Sequence, residues 1–417
     1  MELNSLPTIY PRPFNNAREL SPIQPSSPPA AEPVDRFLPA GESLAPRPFQ
    51  RADFPTGEPF LVPPNFSFYP NPGQNRDPRS QQSSDFPPGS LIILDDGFSQ
   101  GVIGEDHGAA VTRAARVAGF NGQIRQVPVE QSFNLAPVGI PAQNPDRARQ
   151  AFRDFARNAV VNMLDSTGRR LDGFSQNGVR NSALNISSGL SQADLVRNLE
   201  LMIESNPAIA ANAALAFGVD LGKLGSSDPQ VALAERQRLL QGLVDNTHQA
   251  VTNNPDIGAA RQRYDEAVRR FEGNNNSVVV ATSNPRLSDG VPGVRYPEDY
   301  HRSFNINDQV TAVSSRPADG APASPLDTPQ AIYTDGRVMH RHAPRLPFRS
   351  DETDFVPGTS FAAPRVTALT AELHRQNPGL TSSQVENLLR NRFTQQQEGR
   401  TELNDLGAYQ YMRAQTY

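Results

Sequence analysis

The sequence predicts an α/β fold with a mostly parallel central sheet, and two observations lead to that prediction. Leu91–Leu94 and Ser277–Ala281 are short and almost wholly apolar, as expected of strands buried on both faces of a parallel sheet. Segments with apolar residues at helical spacing lie between the strands along the chain. Strands that alternate with helices in this way favour a parallel sheet joined by right-handed crossovers.

Local patterns predict the elements of the first half. Gly89 and the turn residues 95–97 bound the first strand, and the next segment is rich in alanine, which favours a helix. From Pro145 onward, apolar residues recur at helical spacing. In order, the predicted elements are strand Leu91–Leu94, helix His107–Ala118, strand Gln123–Val129, helix Pro145–Leu164 and strand Ala183–Ser187.

The second half contains a helical interruption and two closing helices. Residues 191–255 have helical segments and no convincing strand, so we interpret them as an insertion. Thr381, with Gln384 three residues later, predicts a capping box at the start of the last helix. In order, the predicted elements are helices Ala193–Glu204, Pro229–Val251 and Asp256–Phe271, strands Ser277–Ala281, Gln309–Val313 and Ala331–Tyr333, and helices Ser360–Arg375 and Ser382–Arg392.

Composition divides the 417 residues into a tail and one folded domain. Of the 39 prolines, 20 lie in residues 1–90, where Pro, Ser, Asn and Gln dominate and no helical or strand period persists. Such a segment does not bury enough apolar surface to fold. We therefore expect a disordered region at 1–88, a domain at 89–397 with the insertion at 191–255, and a C-terminal extension at 398–417.

The composition also excludes several classes of function. The chain has no cysteine, which rules out disulfides, thiolate metal sites and a cysteine nucleophile. A net charge of −5 without long basic runs argues against a nucleic-acid partner. No stretch approaches the ~20 apolar residues of a membrane span. The start of the chain lacks a secretory leader, so we expect a protein made in the cytoplasm that does not partner a membrane.

Four residues have the chemistry and the placement of a catalytic site. Asp95 and Asn284 come directly after buried strands, where reactive groups of an open parallel sheet collect. His107 and Ser360 begin predicted helices. A helix start places free backbone N–H groups beside the Ser360 hydroxyl, and such groups suit an oxyanion that develops on an acyl group.

These segments together resemble the subtilisin-like serine proteases, the subtilases of peptidase family S8. The first strand and the turn at 95–97 are similar to the family's aspartate motif, and residues 107–111 match its pattern His-Gly-x-x-Val. Residues 281–284 occupy the place of its oxyanion asparagine motif, and residues 358–364 match Gly-Thr-Ser-x-Ala-x-Pro closely. The motifs occur in the family's order, and the resemblance spans residues 90–395.

The resemblance implies a three-layer subtilisin-like fold and a serine endopeptidase that cleaves a protein or peptide substrate. In this scheme Ser360 attacks a carbonyl, His107 takes and returns the proton, and Asp95 fixes the imidazole tautomer. Asn284 would donate a hydrogen bond to the oxyanion. Residues 185–189 are similar to the family's substrate-binding strand, and the residues expected to bind substrate are Ser187, Ser188, Gly189, Thr282 and Ser283.

Several alternatives remain open at this point. Asp96 also ends the first strand, although alternation along the strand and the Asp-x-Gly register favour Asp95. His340 and His342 have the spacing to share a metal, but without a third ligand nearby a solvent-facing pair is preferred, and we expect no metal and no cofactor. An acyl transferase or peptide ligase, or a peptide-binding module without catalysis, would use the same groove.

The number of lysines bears on the cellular compartment in which the protein acts. The 39 basic side chains include a single lysine, Lys223, and lysine is the residue that accepts ubiquitin. A leaderless start, an unfolded tail and the lack of cysteine are typical of proteins exported by a leaderless route. They indicate a bacterial effector whose tail meets a secretion apparatus or a chaperone. The alternatives are codon bias for arginine and an ordinary intracellular protease.

Overall fold

A computed structural model describes ten segments of the chain. They are residues 86–95, 100–101, 104–105, 107–129, 136–187, 189–282, 291–316, 330–341, 353–397 and 399–414. The predicted tail lies outside these segments up to residue 85. Among the helices within them, none is long and apolar enough to cross a membrane.

The described segments contain twelve strands and eleven helices. The strands are β1 Leu91–Asp95, β2 Gln100–Gly101, β3 Gly104–Glu105, β4 Ile124–Pro128, β5 Ala183–Ile186, β6 Ser277–Ala281, β7 Thr311–Ser315, β8 Ile332–Thr334, β9 Arg337–Arg341, β10 Thr353–Pro357, β11 Thr394–Gln397 and β12 Arg400–Leu403. The helices are α1 His107–Val117, α2 Ala136–Gly139, α3 Pro145–Gln176, α4 Gln192–Ser205, α5 Pro207–Phe217, α6 Leu221–Leu224, α7 Pro229–Val251, α8 Pro255–Glu272, α9 Thr359–Gln376, α10 Ser382–Phe393 and α11 Asp405–Ala414.

Eight strands form the central sheet, in the order β11-β12-β8-β7-β6-β5-β1-β4. Every neighbouring pair is parallel except β11 and β12, which are antiparallel. The predicted mostly parallel α/β sheet is therefore confirmed. Strand β1 lies between β4 and β5, so the chain leaves β1 in one direction across the sheet and returns in the other. Such a reversal opens a crevice at the carboxyl ends of the central strands.

The sheet is the middle of three layers because its strands alternate their side chains between two cores. Ile92 and Leu94 join one core with residues of α3, α4, α5, α7 and α8. Leu91 and Ile93 join the other core with residues of α1, α9, α10 and α11. The four apolar residues Leu91–Leu94 of β1 are thereby buried on both faces of the sheet. By the same alternation, Asp95 lies on the face that α1 and α9 cover.

Two helical regions extend further than the sequence predicted. Helix α3 runs to Gln176, twelve residues past the expected end at Leu164. Its last third continues the buried stripe with Thr167, Gly168, Leu171 and Phe174, and packs on α8. The insertion also forms α5 and α6 in addition to the two predicted helices, because Asn206 and Asp220 cap new helix starts.

The C-terminal residues contribute to the central sheet. Strand β12 pairs in parallel with β8, and β11 pairs with β12. The predicted capping box at Thr381 and Gln384 is confirmed at the start of α10. Residues 400–403 are therefore part of the sheet itself.

A buried polar chain at the amino end of β6 links His374 to Glu272. His374 is fully buried, and its Nε2 lies 2.9 Å from the Ser277 hydroxyl, while its Nδ1 has no partner within the described segments. Ser277 contacts Ser382 at 3.1 Å, and Ser382 donates to Glu272 at 3.2 Å. Burial lowers the pKa of His374 to about 4 and raises the pKa of Glu272 to about 7.

These shifts predict opposite effects of pH on stability. His374 is neutral in the folded protein but binds a proton below ~6.5 when unfolded, so its contribution of roughly 3 kcal/mol is present above pH 6.5 and is lost as pH falls towards 4. Glu272 acts in reverse, because its raised pKa favours folding at low pH. The two effects offset each other in the wild-type protein.

We therefore expect His374→Gln to gain stability relative to wild type as pH falls from 6.5 to 4. Urea unfolding of both proteins at several pH values measures this difference, and groups common to both cancel. Glu272→Gln is the matched control. We expect this variant to lose stability relative to wild type as pH falls from 7 to 4.5. If the free energy of unfolding differed between wild type and variant by the same amount at every pH, the shifted pKa values of His374 and Glu272 would be contradicted.

Candidate active site

Asp95 lies at the carboxyl end of β1 with its side chain fully buried. It follows Leu91 and Ile93 on the face of the sheet covered by α1 and α9. An isolated carboxylate in such a position is costly to bury, so it requires hydrogen-bond donors. Asp95 thus stands at the crevice between the central strands with its carboxylate directed to a helix start.

His107, the first residue of α1, supplies that donor. Its Nδ1 lies 2.9 Å and 3.0 Å from the two carboxylate oxygens of Asp95. The histidine side chain is 37% exposed, whereas the aspartate side chain is fully buried. Since Nδ1–H donates to the carboxylate, the tautomer that results makes Nε2 a hydrogen-bond acceptor. The buried carboxylate therefore holds the His107 ring in one orientation.

Ser360 is the second residue of α9, after Gly358 at the N-cap and Thr359. The serine is 8% exposed, and its hydroxyl donates to the carbonyl oxygen of Ser187 at 3.1 Å. The next residue, Phe361, packs against the His107 ring with centroids 5.5 Å apart. Helix α9 therefore brings Ser360 to the edge of the sheet where Asp95 and His107 meet.

Three of the predicted substrate-binding residues lie at the same edge. Ser187 follows β5 and its hydroxyl donates to the Ser360 carbonyl at 2.8 Å. A Cβ on Gly189 would lie 2.5 Å from the Ser303 hydroxyl oxygen, so a side chain at this position would require that hydroxyl to move. Thr282 follows β6 and is buried, and its carbonyl accepts a hydrogen bond from the Thr359 hydroxyl.

The other predicted site residues lie outside the described segments. They are Asn284, Ser188 and Ser283, and the alternative Asp96. His342 is also outside, and of His340 only the backbone, in β9, is described. Within the described segments, no group of three or more His, Asp or Glu side chains could hold a metal ion.

The sequence analysis missed two polar residues that join the site from the interior. Asn185 in β5 is fully buried and contacts both Ser187 and Thr367 of α9. The available signal was an asparagine in an otherwise apolar strand, on the same face as Ala183, which packs in the α9 core. A polar residue on a core-facing position requires partners there.

Comparison with known proteins gives one family match. The model of the subtilase family, Peptidase_S8, matches residues 250–408. No curated protein matches the chain.

Several solved structures are similar to this chain. The nisin leader peptidase NisP from Lactococcus lactis is 12% identical, with a TM-score of 0.35, over 77% of this chain and 87% of that one. The prenylagaramide maturation protease PagA is 16% identical, with a TM-score of 0.35, over 78% and 95%. MycP1 from Mycobacterium smegmatis is 13% identical, with a TM-score of 0.38, over 78% and 81%. The matched residues 250–408 include Ser360 and helix α9, so this part of the chain is similar to the subtilase family.

Proposed function

We propose that this protein is a serine endopeptidase whose catalytic residues are Asp95, His107 and Ser360. The observation that carries the proposal is that His107, held by the buried Asp95 carboxylate, meets the start of α9 at one edge of the sheet. A carboxylate, an imidazole and a hydroxyl in this order are the components of nucleophilic acyl transfer. Residues 250–408 match the model of the subtilase family, whose Asp, His and Ser motifs the segments around these three residues resemble.

In the proposed reaction, Ser360 forms a bond to the substrate, His107 transfers a proton and Asp95 holds the imidazole. The Ser360 oxygen bonds to the carbonyl carbon of the substrate while its proton passes to His107 Nε2, so the hydroxyl must leave the Ser187 carbonyl to which it donates. His107 then gives that proton to the departing amine, and the peptide bond breaks. Water attacks the acyl-enzyme by the same route in reverse. Asp95 holds Nδ1–H throughout and stabilises the imidazolium.

Two kinds of donor would stabilise the negative charge on the carbonyl oxygen. The start of α9 carries backbone N–H groups without partners inside the helix, and the positive end of its dipole favours an anion. The Asn284 side-chain amide is proposed as the second donor. Charge on that oxygen develops only in the transition state, so these groups act on turnover more than on binding.

Asn284→Ala is therefore expected to lower kcat by ~10²–10³-fold with little change in KM. Steady-state kinetics on a cleaved peptide separate the two constants. Asn305→Ala, which alters another buried asparagine two residues from Ser303, is the comparison variant. A kcat within threefold of wild type would place the oxyanion donor elsewhere.

Substrate would lie against the loops that follow β5 and β6. We propose that Ser187, Ser188, Gly189, Thr282 and Ser283 contact it. The lack of a side chain at Gly189 brings its backbone close to Ser303. Small residues at this edge leave room for a substrate chain to approach the Ser360 hydroxyl.

Mass spectrometry of a peptide library separates hydrolysis from the two other functions of this groove. An endopeptidase produces new N-termini, whereas a peptide ligase joins an acyl group to an amine. A binding module retains peptides and leaves them intact. New N-termini that disappear in Ser360→Ala support the proposal; ligated products, or unchanged peptides, contradict it.

The single lysine favours a second proposal about where the protease acts. We infer that it works in a eukaryotic cytosol, where ubiquitin attached to lysine directs proteins to the proteasome. Lys223 is the only lysine among 39 basic residues, so the chain offers few sites for ubiquitin. The test uses the inactive Ser360→Ala chain and a form with exposed Arg147, Arg169 and Arg269 changed to lysine. We expect the lysine-containing form to be degraded faster in eukaryotic cells unless the proteasome is inhibited. Equal half-lives would remove the proposal.

A further inference from the structure

A buried hydrogen-bond network joins β5 to two points on α9. The Thr367 hydroxyl shares its proton between the Ala363 carbonyl at 2.8 Å and the Asn185 side-chain oxygen at 3.2 Å. The Asn185 amide donates to the Ser187 hydroxyl at 2.8 Å. The Ser187 hydroxyl donates to the Ser360 carbonyl at 2.8 Å. Ser360 returns a hydrogen bond from its hydroxyl to the Ser187 carbonyl at 3.1 Å. The network therefore ends on the proposed nucleophile.

The network contacts α9 at two positions along the helix. Ser360 and Thr367 are seven residues apart, which places them two turns apart on one face of α9. Asn185 contacts Thr367 directly and contacts Ser360 through Ser187. The Asn185 side chain thus links β5 to α9 at two positions, and these contacts oppose both translation and rotation of α9 relative to β5.

The burial of the network makes its hydrogen bonds directional. Asn185 and Thr367 are fully buried, and Ser187 is 5% exposed. Water does not compete for these groups, so each hydroxyl points where its protein partners require. Because the Asn185 amide donates to the Ser187 oxygen, the Ser187 proton is left to point at the Ser360 carbonyl.

We propose that Asn185 is a positioning residue for Ser360, acting through the Ser187 hydroxyl. This inference rests on the proposed function. His107 is carried by α1 and Ser360 by α9, so the distance between base and nucleophile depends on where the start of α9 is held. Misplacement of a reacting group by about 1 Å can cost roughly 10²-fold in rate.

Asn185→Ala is a suitable variant because it leaves no orphaned hydroxyl. Ser187 still has the Ser360 carbonyl as acceptor, and Thr367 still has the carbonyl of Ala363 at 2.8 Å. The fold should therefore tolerate the change, which a thermal unfolding curve checks. Thr367→Val removes the other contact of Asn185 with almost no change in shape and serves as a second, milder variant.

Thr370→Val is the matched control. Thr370 is a buried threonine of the same helix, and its hydroxyl donates to the Val366 carbonyl one turn earlier. The change removes a hydrogen bond of the same kind as the Thr367–Ala363 bond, and among the described residues Thr370 makes no hydrogen bond to β5. Effects common to all threonine substitutions in α9 appear in this control.

The first readout is the rate at which a fluorophosphonate probe labels Ser360. We expect Asn185→Ala to slow labelling by tenfold to 10²-fold, Thr367→Val to slow it less, and Thr370→Val to leave it unchanged. The pH at which labelling is half-maximal, which reports His107, is expected to stay the same. A merely structural loss would slow Thr370→Val as well.

A double-mutant cycle tests the route through Ser187. If Asn185 acts through the Ser187 hydroxyl, the double variant Asn185→Ala/Ser187→Ala reacts no more slowly than Ser187→Ala alone. Losses that multiply would overturn that route. Hydrogen exchange of residues 359–363 provides a readout that does not require activity. It is expected to accelerate in Asn185→Ala and not in Thr370→Val.

The outcomes distinguish this inference from the proposed function. A wild-type chain that does not react with the probe overturns the proposed function and the positioning role together. A reactive wild-type chain with an equally reactive Asn185→Ala variant overturns the positioning role alone. Unchanged exchange at the start of α9 in Asn185→Ala also overturns it.

Discussion

Replacing Ser360 by alanine is expected to abolish peptide hydrolysis, with a loss in turnover of roughly 10⁶-fold. The change removes the proposed nucleophile, and neither His107 nor the start of α9 can take its place. The fold should persist because the change removes one hydrogen bond, from the hydroxyl to the Ser187 carbonyl, which contributes about 1 kcal/mol. Peptide cleavage rates and thermal unfolding measure the two effects.

Ser166→Ala is the matched control for that experiment. Ser166 also lies in a helix and donates to a backbone carbonyl, that of Met163, at 3.1 Å. Full activity is expected in this variant. Turnover in Ser360→Ala within tenfold of wild type would show that another group attacks the substrate.

Replacing Asp95 by asparagine is expected to lower kcat by roughly 10⁴-fold. The carboxylate now accepts Nδ1–H from His107 at 2.9 Å. An amide can turn its N–H₂ to Nδ1 instead, which places the histidine proton on Nε2, and that nitrogen then cannot accept the Ser360 proton. Cleavage kinetics at several pH values measure the loss.

Asp172→Asn is the control for a carboxylate outside the site. Asp172 pairs with Arg270 on the surface between α3 and α8, with a shortest contact of 2.8 Å. Its loss should leave kcat unchanged, because surface pairs contribute little to stability. A loss below tenfold in Asp95→Asn would contradict the role assigned to that carboxylate.

The sequence was most informative about the buried strands and the residue that ends the first of them. Alternation along the first strand favoured Asp95 over Asp96, and the structure places the Asp95 carboxylate on His107 at the start of α1. The buried strands β1 and β6 were predicted from their continuous apolar runs, and the structure confirms both. The catalytic roles of these residues remain predictions.

Elements that depend on distant partners were not predicted. Residues 400–403 carry no apolar run, and their place in the sheet depends on parallel pairing with β8, some seventy positions earlier in the chain. The extension of α3 is stabilised by packing on α8. Local propensity does not report either contact.

The support of the site was also hidden from the sequence. A motif identifies Ser360, but it does not show that Ser187, 173 positions earlier, exchanges two hydrogen bonds with it. Asn185 begins the segment that resembles the substrate-binding strand, but that resemblance does not reveal its contact with Thr367, which depends on the packing of β5 against α9. Long-range pairing of buried polar groups is a property of the folded state.

The most direct measurement for the central claim is the mapping of fluorophosphonate adducts on the full-length chain by peptide mass spectrometry. The account predicts a single adduct on Ser360, absent in Ser360→Ala and formed far more slowly in Asp95→Asn. An unlabelled wild-type chain, or an adduct on another residue, would contradict the assignment of Ser360 as the nucleophile of a serine endopeptidase.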